Sequence, residues 1–260
     1  MLLRPGLTSI THRQLSPLEV VALASEANLE AIEWGADVHL LPGSPTAARD
    51  LAARCRDAGI DCPSYGSYFR VGRDDPDAFD QLARTAEALG ARQVRTWAGT
   101  ATSAVATAGE FAAVVDGTQR IAARAADSGL AIAFEFHDGT VNDTATASRR
   151  LIEAVDRPNV RTYWQPPVGM SDDDAVAQLA TIIDIVTTVH VFSWDDDGTW
   201  LALADRQRMW ERVVQVLEAS GRRRDLLLEH VQEHDPKVLL RDAAVLTGWC
   251  SGAARAGNAG

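Results

Sequence analysis

The most constraining feature of this chain is a rhythm. Short apolar runs of strand length alternate with longer segments of helical periodicity along nearly the whole sequence. The runs fall near residues 6–8, 31–34, 62–65, 93–97, 131–137, 160–165, 186–194 and 225–231. Strands joined by helical crossovers pair in parallel, so the pattern predicts an α/β fold. Several helix starts are marked. Ser16-Pro17 with Glu19 combines a capping box with proline at the first helical position, and Asp75-Pro76 and Asp235-Pro236 repeat the cap and proline. After Asp75, Phe79, Leu82, Ala83, Ala86 and Leu89 recur at helical spacing until Gly90, which supplies a C-terminal stop. Eight strand–helix units in 260 residues, about one per 30, match a (β/α)8 TIM barrel. An open doubly wound sheet usually has fewer strands. Its dinucleotide-binding form needs a Gly-x-Gly-x-x-Gly turn where this chain has Thr8-Ser9-Ile10-Thr11-His12. The expectation is one TIM-barrel domain over residues 1–250 and a mobile tail over 251–260, which lacks apolar periodicity.

Charge narrows the function. With 36 Asp and Glu against 25 Lys and Arg, the formal net charge is -11, an average field that repels nucleic acid and anionic membranes. The densest basic cluster, Arg222-Arg223-Arg224, is short. Cys55, Cys62 and Cys250 have neither the even count nor the density of a disulfide scaffold. Pro5 interrupts the N-terminus before a signal-peptide core forms, and no run approaches the ~18 apolar residues of a membrane span. A soluble, cytoplasmic protein is expected, with no nucleic-acid or membrane partner. The oligomeric state is left open, a homo-oligomer included.

A barrel of this kind carries its chemistry at the C-terminal ends of its strands, on the inward phase of the pleat. Along Ala131-Ile132-Ala133-Phe134-Glu135-Phe136-His137, the large apolar residues share the face that packs on helices, which turns Glu135 into the barrel mouth. The next strand gives Tyr163 and Gln165 on one phase, the seventh His190, and the eighth Glu229 after three leucines. A charged Glu in such a strand costs several kcal/mol unless it is paired or ligates a metal, so two of them call for a cation. Glu135, Gln165, His190 and Glu229 come from four consecutive strands and converge. Their oxygen and imidazole donors suit one divalent ion, Mn²⁺, Mg²⁺ or Co²⁺.

At these residues the sequence resembles the xylose isomerase-like barrels, a family of sugar isomerases and epimerases. The resemblance rests on Ala31-Ile32-Glu33-Trp34, Phe134-Glu135-Phe136-His137, Val189-His190-Val191-Phe192 and Leu228-Glu229-His230. It implies one divalent metal held by Glu135, Gln165, His190 and Glu229, with Gln165 standing where the family pattern has Asp. It also implies Glu135 and Glu229 as the proton-transferring pair acting on a small carbohydrate. Around this centre, Glu33, His39, Trp97, His137 and Trp194 are the candidate substrate contacts, and His230 is expected on the helix-facing side. The acidic loops Asp195-Asp196-Asp197-Gly198 and Gln232-Glu233-His234-Asp235 favour a substrate without phosphate, unless Arg70 and Arg73 reach in. The alternatives are a lyase or dehydratase acting on a keto-inositol or keto-sugar through the same proton removal, and a non-catalytic sugar-binding barrel.

Overall fold

The structure, a computed structural model, describes residues 2–252, so residues 253–260 of the expected tail lie outside the described residues. Eight parallel strands close into a barrel: β1 (Leu3–Thr8), β2 (Ala31–Gly35), β3 (Ser64–Val71), β4 (Gln93–Ala98), β5 (Ala131–Phe134), β6 (Val160–Trp164), β7 (Val186–Val191) and β10 (Arg224–Leu228). Closure is explicit in the pairing, since β1 pairs with both β2 and β10. Between β7 and β10 a small antiparallel hairpin, β8 (Ser193–Trp194) and β9 (Trp200–Leu201), rises from the C-terminal end of the barrel. Helices α1 (Pro17–Glu26), α2 (Pro45–Asp57), α3 (Phe79–Leu89), α4 (Ala108–Asp127), α5 (Ala145–Val155), α6 (Asp172–Ile182), α7 (Gln207–Ala219) and α8 (Pro236–Ser251) alternate with the barrel strands.

The helix punctuation does what the sequence implies. The Ser16–Glu19 capping box forms at α1, Asp235 caps α8, and Gly90 ends α3 in the left-handed conformation at φ 77°. Asp75 caps a short 3-10 turn that leads into α3. Strand ends differ from the apolar runs. β5 stops at Phe134 and β10 at Leu228, so Glu135 and Glu229 are the first residues beyond the ladder. The run 186–194 divides into β7 and β8, and β3 extends to Val71 through an irregular register between Gly66 and Arg70.

Ile132, Phe134, Leu226 and Leu228 are buried in the hydrophobic core, whereas the alternate positions of the strands fill the barrel with small and polar side chains. Packing there is tight. A Cβ on Gly6 would stand 2.4 Å from the carbonyl oxygen of Ala31, so β1 and β2 approach only because this position is glycine. Among the described residues no helix is long and apolar enough to cross a membrane, and the three cysteines are free and buried.

Candidate active site

Arg95 on β4 is 1% exposed, and it organises the interior. Its Nε lies 2.9 Å from Glu33 Oε1 and its Nη1 contacts Glu135. Glu33, on β2, is itself fully enclosed: Ser64 Oγ and Tyr163 Oη donate to its Oε2 at 2.7 and 2.6 Å. The room for this pair comes from β3, where a Cβ on Gly66 would stand 2.7 Å from Glu33 Oε1 and 2.9 Å from Arg95 Nη2. Arg95 and Trp97 share one phase of β4, and the sequence pattern gave a site role to Trp97 alone. The missed signal is the same one that exposed the glutamates, a charge inside an apolar strand that requires a partner. The glutamates therefore do not depend on a metal alone for compensation, because Arg95 is built in.

His190 on β7 stands between the carboxylates. Its Nδ1 donates to Gln165 Oε1 at 3.1 Å and lies 3.2 Å from Glu229 Oε2, while Nε2 is 3.8 Å from Glu33 Oε1. Glu135, His190 and Glu229 offer ligand atoms that all lie within 4.8 Å of one another. Their backbones are tied down: Asn142 Nδ2 donates to the Glu135 carbonyl at 2.9 Å, and Thr11 Oγ1 to the Glu229 carbonyl at 2.7 Å. This set fits a divalent ion. Two carboxylates and an imidazole meet without a thiolate, and the Gln165 amide oxygen lies beside the imidazole at 3.1 Å.

The electrostatics are lopsided. Burial pushes Glu229 up, but the charges of His190 and His230 outweigh it and hold its carboxyl well below the usual range. Glu33 is likewise opposed by burial yet brought down to about 2, chiefly by Arg95. Burial raises Glu135, with Arg95 opposing and the Glu229 charge adding to the rise. For His190, burial disfavours the cation, but Glu229 and Glu33 carry it up to about 10. A cationic His190 must lose its proton before it can ligate. Ion binding is therefore expected to release about one proton, and affinity to rise about tenfold per pH unit between pH 6 and 8, below the point where His190 titrates. Calorimetry with Mn²⁺ in two buffers of different ionisation enthalpy checks this; equal heats in both would show that His190 keeps its proton.

The other sequence candidates divide. Trp97 and His137 form one wall of the mouth, with ring centroids 4.6 Å apart and Arg70 over the indole at 4.3 Å. Arg73 instead pairs with Asp74 at the surface. Trp194 belongs to the opposite wall, 4.2 Å from Phe192. The indole N–H groups of Trp97 and Trp194 are buried with no hydrogen-bond partner among the described residues. His39 stands apart, its nitrogens engaged by Ser9 Oγ at 2.9 Å and the Leu15 carbonyl at 3.1 Å, which leaves neither for a hydroxyl. His230 is not on the helix-facing side. β10 has ended two residues earlier, so strand alternation no longer governs it, and its ring stacks on Trp200 at 4.8 Å with Nε2 3.6 Å from Glu229. Trp200 was invisible to the sequence reading because it reaches the site through the β8–β9 hairpin. In the hairpin turn, Asp195 Oδ1 accepts from the backbone N–H groups of Asp197 and Thr199.

The family described as xylose isomerase-like TIM barrel matches residues 21–247. The chain belongs to that family. No curated protein sequence matches it. Among solved structures, this xylose isomerase-like barrel is similar to the probable 3-DHS dehydratase AsbF involved in petrobactin synthesis from Bacillus anthracis. The TM-score is 0.79 at 18% identity, over 94% of this chain and 98% of that one. D-psicose 3-epimerase from Clostridium cellulolyticum H10, solved with D-tagatose, gives 0.75 at 16% identity over 95% and 98%. A xylose isomerase-like TIM barrel protein from Mycobacterium smegmatis in complex with magnesium gives 0.74 at 12% identity over 96% and 97%. At such identities the likeness is one of fold.

Proposed function

We propose that this barrel is a divalent-metal-dependent isomerase or epimerase of a small sugar or related polyhydroxy carbonyl compound. The observation that carries the reading is the convergence of Glu135, His190 and Glu229 within 4.8 Å at the catalytic end of the barrel. Glu135, Gln165, His190 and Glu229 would hold the ion. When bound, an Mn²⁺, Mg²⁺ or Co²⁺ ion supplies Lewis acidity that polarises a carbonyl and acidifies the neighbouring C–H. The protein's own groups move the proton. Glu135 and Glu229 close two strands separated by β6 and β7, so one takes a proton from the carbon beside the carbonyl and the other returns one. Return to the neighbouring carbon isomerises the substrate; return to the opposite face of the same carbon epimerises it. Trp97 and Trp194 pack on the C–H faces of the sugar, and their unspent N–H groups, with His137, meet its hydroxyls.

The epimerase solved with D-tagatose and the magnesium-bound barrel support this reading, and the Bacillus dehydratase supports a second, in which the same proton removal expels a β-hydroxyl as water. Incubation with ketoses, keto-inositols and related enones in D₂O separates them. Solvent deuterium in a sugar product marks the first and net loss of water the second. Tight sugar binding with neither outcome would instead assign a non-catalytic barrel.

Turnover is expected to vanish in EDTA and return with Mn²⁺ or Co²⁺, since a glutamate alone is too weak a base for such carbon acids. Full activity after exhaustive chelation, with no metal by elemental analysis, would rule the mechanism out. Gln165 gives a finer test. Its neutral amide leaves two glutamates against a divalent charge, so Gln165→Asp should tighten Mn²⁺ binding by about tenfold and lower turnover by weakening carbonyl polarisation. Unchanged Mn²⁺ affinity in both Gln165→Asp and Gln165→Ala would remove Gln165 from the metal site.

A further inference from the structure

The opposite, N-terminal pole of the barrel holds a cavity of about 850 Å³. The strand beginnings line it, and they bring together arginines that lie far apart in sequence: Arg4, Arg92, Arg161, Arg223 and Arg224. The acidic lining is Glu30 and Asp225. Two of the arginines are matched. Arg4 pairs with Asp61 and Asp225, each at 2.6 Å, and Arg92 with the same two at 2.7 and 3.5 Å. No carboxylate pairs with Arg161, Arg223 or Arg224 among the described residues. Three lining arginines thus stand without a carboxylate partner beside one lining glutamate, Glu30, an excess of about two positive charges in a chain whose net charge is -11.

Arg224 sharpens the point. It is 3% exposed, yet its guanidinium donates only to neutral acceptors, the carbonyls of Val186, Ile183 and Arg222 and the hydroxyl of Ser220. Its hydrogen bonds are met but its charge is not. Burial, reinforced by repulsion from Arg222, pushes it down to about 10. A floor of polar side chains separates this cavity from the glutamates: Gln93 Nε2 donates to Tyr163 Oη at 3.0 Å and to Thr188 Oγ1 at 2.9 Å, and Thr187 Oγ1 donates to Gln93 Oε1 at 3.0 Å.

We infer that this cavity is a binding site for a small multivalent oxyanion of the phosphate type, distinct from the site at the other pole. The volume lies in the range of small-molecule pockets. Guanidinium forks match phosphate oxygens two at a time, and a concave positive surface concentrates anions that the rest of the molecule repels. Free phosphate and the phosphate group of an organic ester share this chemistry.

The test is titration calorimetry of the full chain, metal-free in EDTA and at fixed ionic strength, with pyrophosphate and separately with inorganic phosphate. Pyrophosphate should bind one-to-one and raise the melting temperature. Arg161→Gln with Arg223→Gln should weaken that binding at least about tenfold, because two of the three unmatched charges are gone. Arg161 is half-buried and donates only to the carbonyl of its neighbour Val160, at 2.7 Å, and Arg223 is exposed, so the melting temperature in chloride and the Mn²⁺ affinity should stay close to wild-type values. Equal affinity for the two probes would assign the site to free phosphate, and tighter pyrophosphate to a larger phosphate-bearing ligand. No saturable binding of either, or undiminished binding in the double variant, would overturn the inference.

Discussion

Glu229→Gln is expected to abolish measurable turnover, a loss of about 10²–10⁴-fold or more, in a protein that remains folded. The exchange is nearly isosteric. It keeps the backbone carbonyl that Thr11 holds at 2.7 Å and removes the charge that accepts or returns the proton. It also takes from His190 a carboxylate 3.2 Å away, so His190 should titrate lower than in the wild type. Steady-state rates on the substrate found in the D₂O screen, with circular dichroism and melting as controls, decide the matter. Retention of more than about a tenth of wild-type kcat would be incompatible with a proton-transfer role.

The second large effect is on stability. Arg95→Met leaves Glu33 and Glu135 buried without the cation they share, and breaking such a set from one side costs about 3–5 kcal/mol. Urea denaturation of the metal-free protein measures it. Adding Glu33→Gln to Arg95→Met should recover part of the loss, since one of the two abandoned charges is then gone. A loss below about 1 kcal/mol would mean that water or His190 already neutralises both carboxylates and that Arg95 is dispensable to the fold. Adding Mn²⁺ should partly restore Arg95→Met, because the ion replaces a positive charge next to Glu135.

Much of this site was legible because strand ends obey a simple rule. Glu135, Gln165, His190 and Glu229 each fell on the inward phase of an apolar run, and the pleat brought them together without any knowledge of the loops. That rule still holds for Glu135 and Glu229, one residue past the ladder, and fails at the next, which is how His230 was placed on the wrong side. The glycine at position 66 and the hydroxyls of Ser64 and Tyr163 could not be read either. Their meaning depends on Glu33, which meets them only after the barrel closes. Arg95 was legible in principle, for a guanidinium in an apolar strand carries the same demand as a glutamate. The arginines of the far pole were not: Arg4, Arg92, Arg161 and Arg223 lie on four separate strand starts, and only closure makes them neighbours.

The β8–β9 hairpin has a consequence for how such an enzyme could diversify. It contributes Trp194 and Trp200 to the mouth, pairs within itself rather than with the barrel ladder, and is closed by its own Asp195 turn. In the proposed reaction, Glu135 and Glu229 stand at the ends of β5 and β10, and their guanidinium counterweight Arg95 stands on β4. An insertion, deletion or exchange between residues 195 and 199 would therefore alter which molecules are admitted without re-engineering the reaction performed on them.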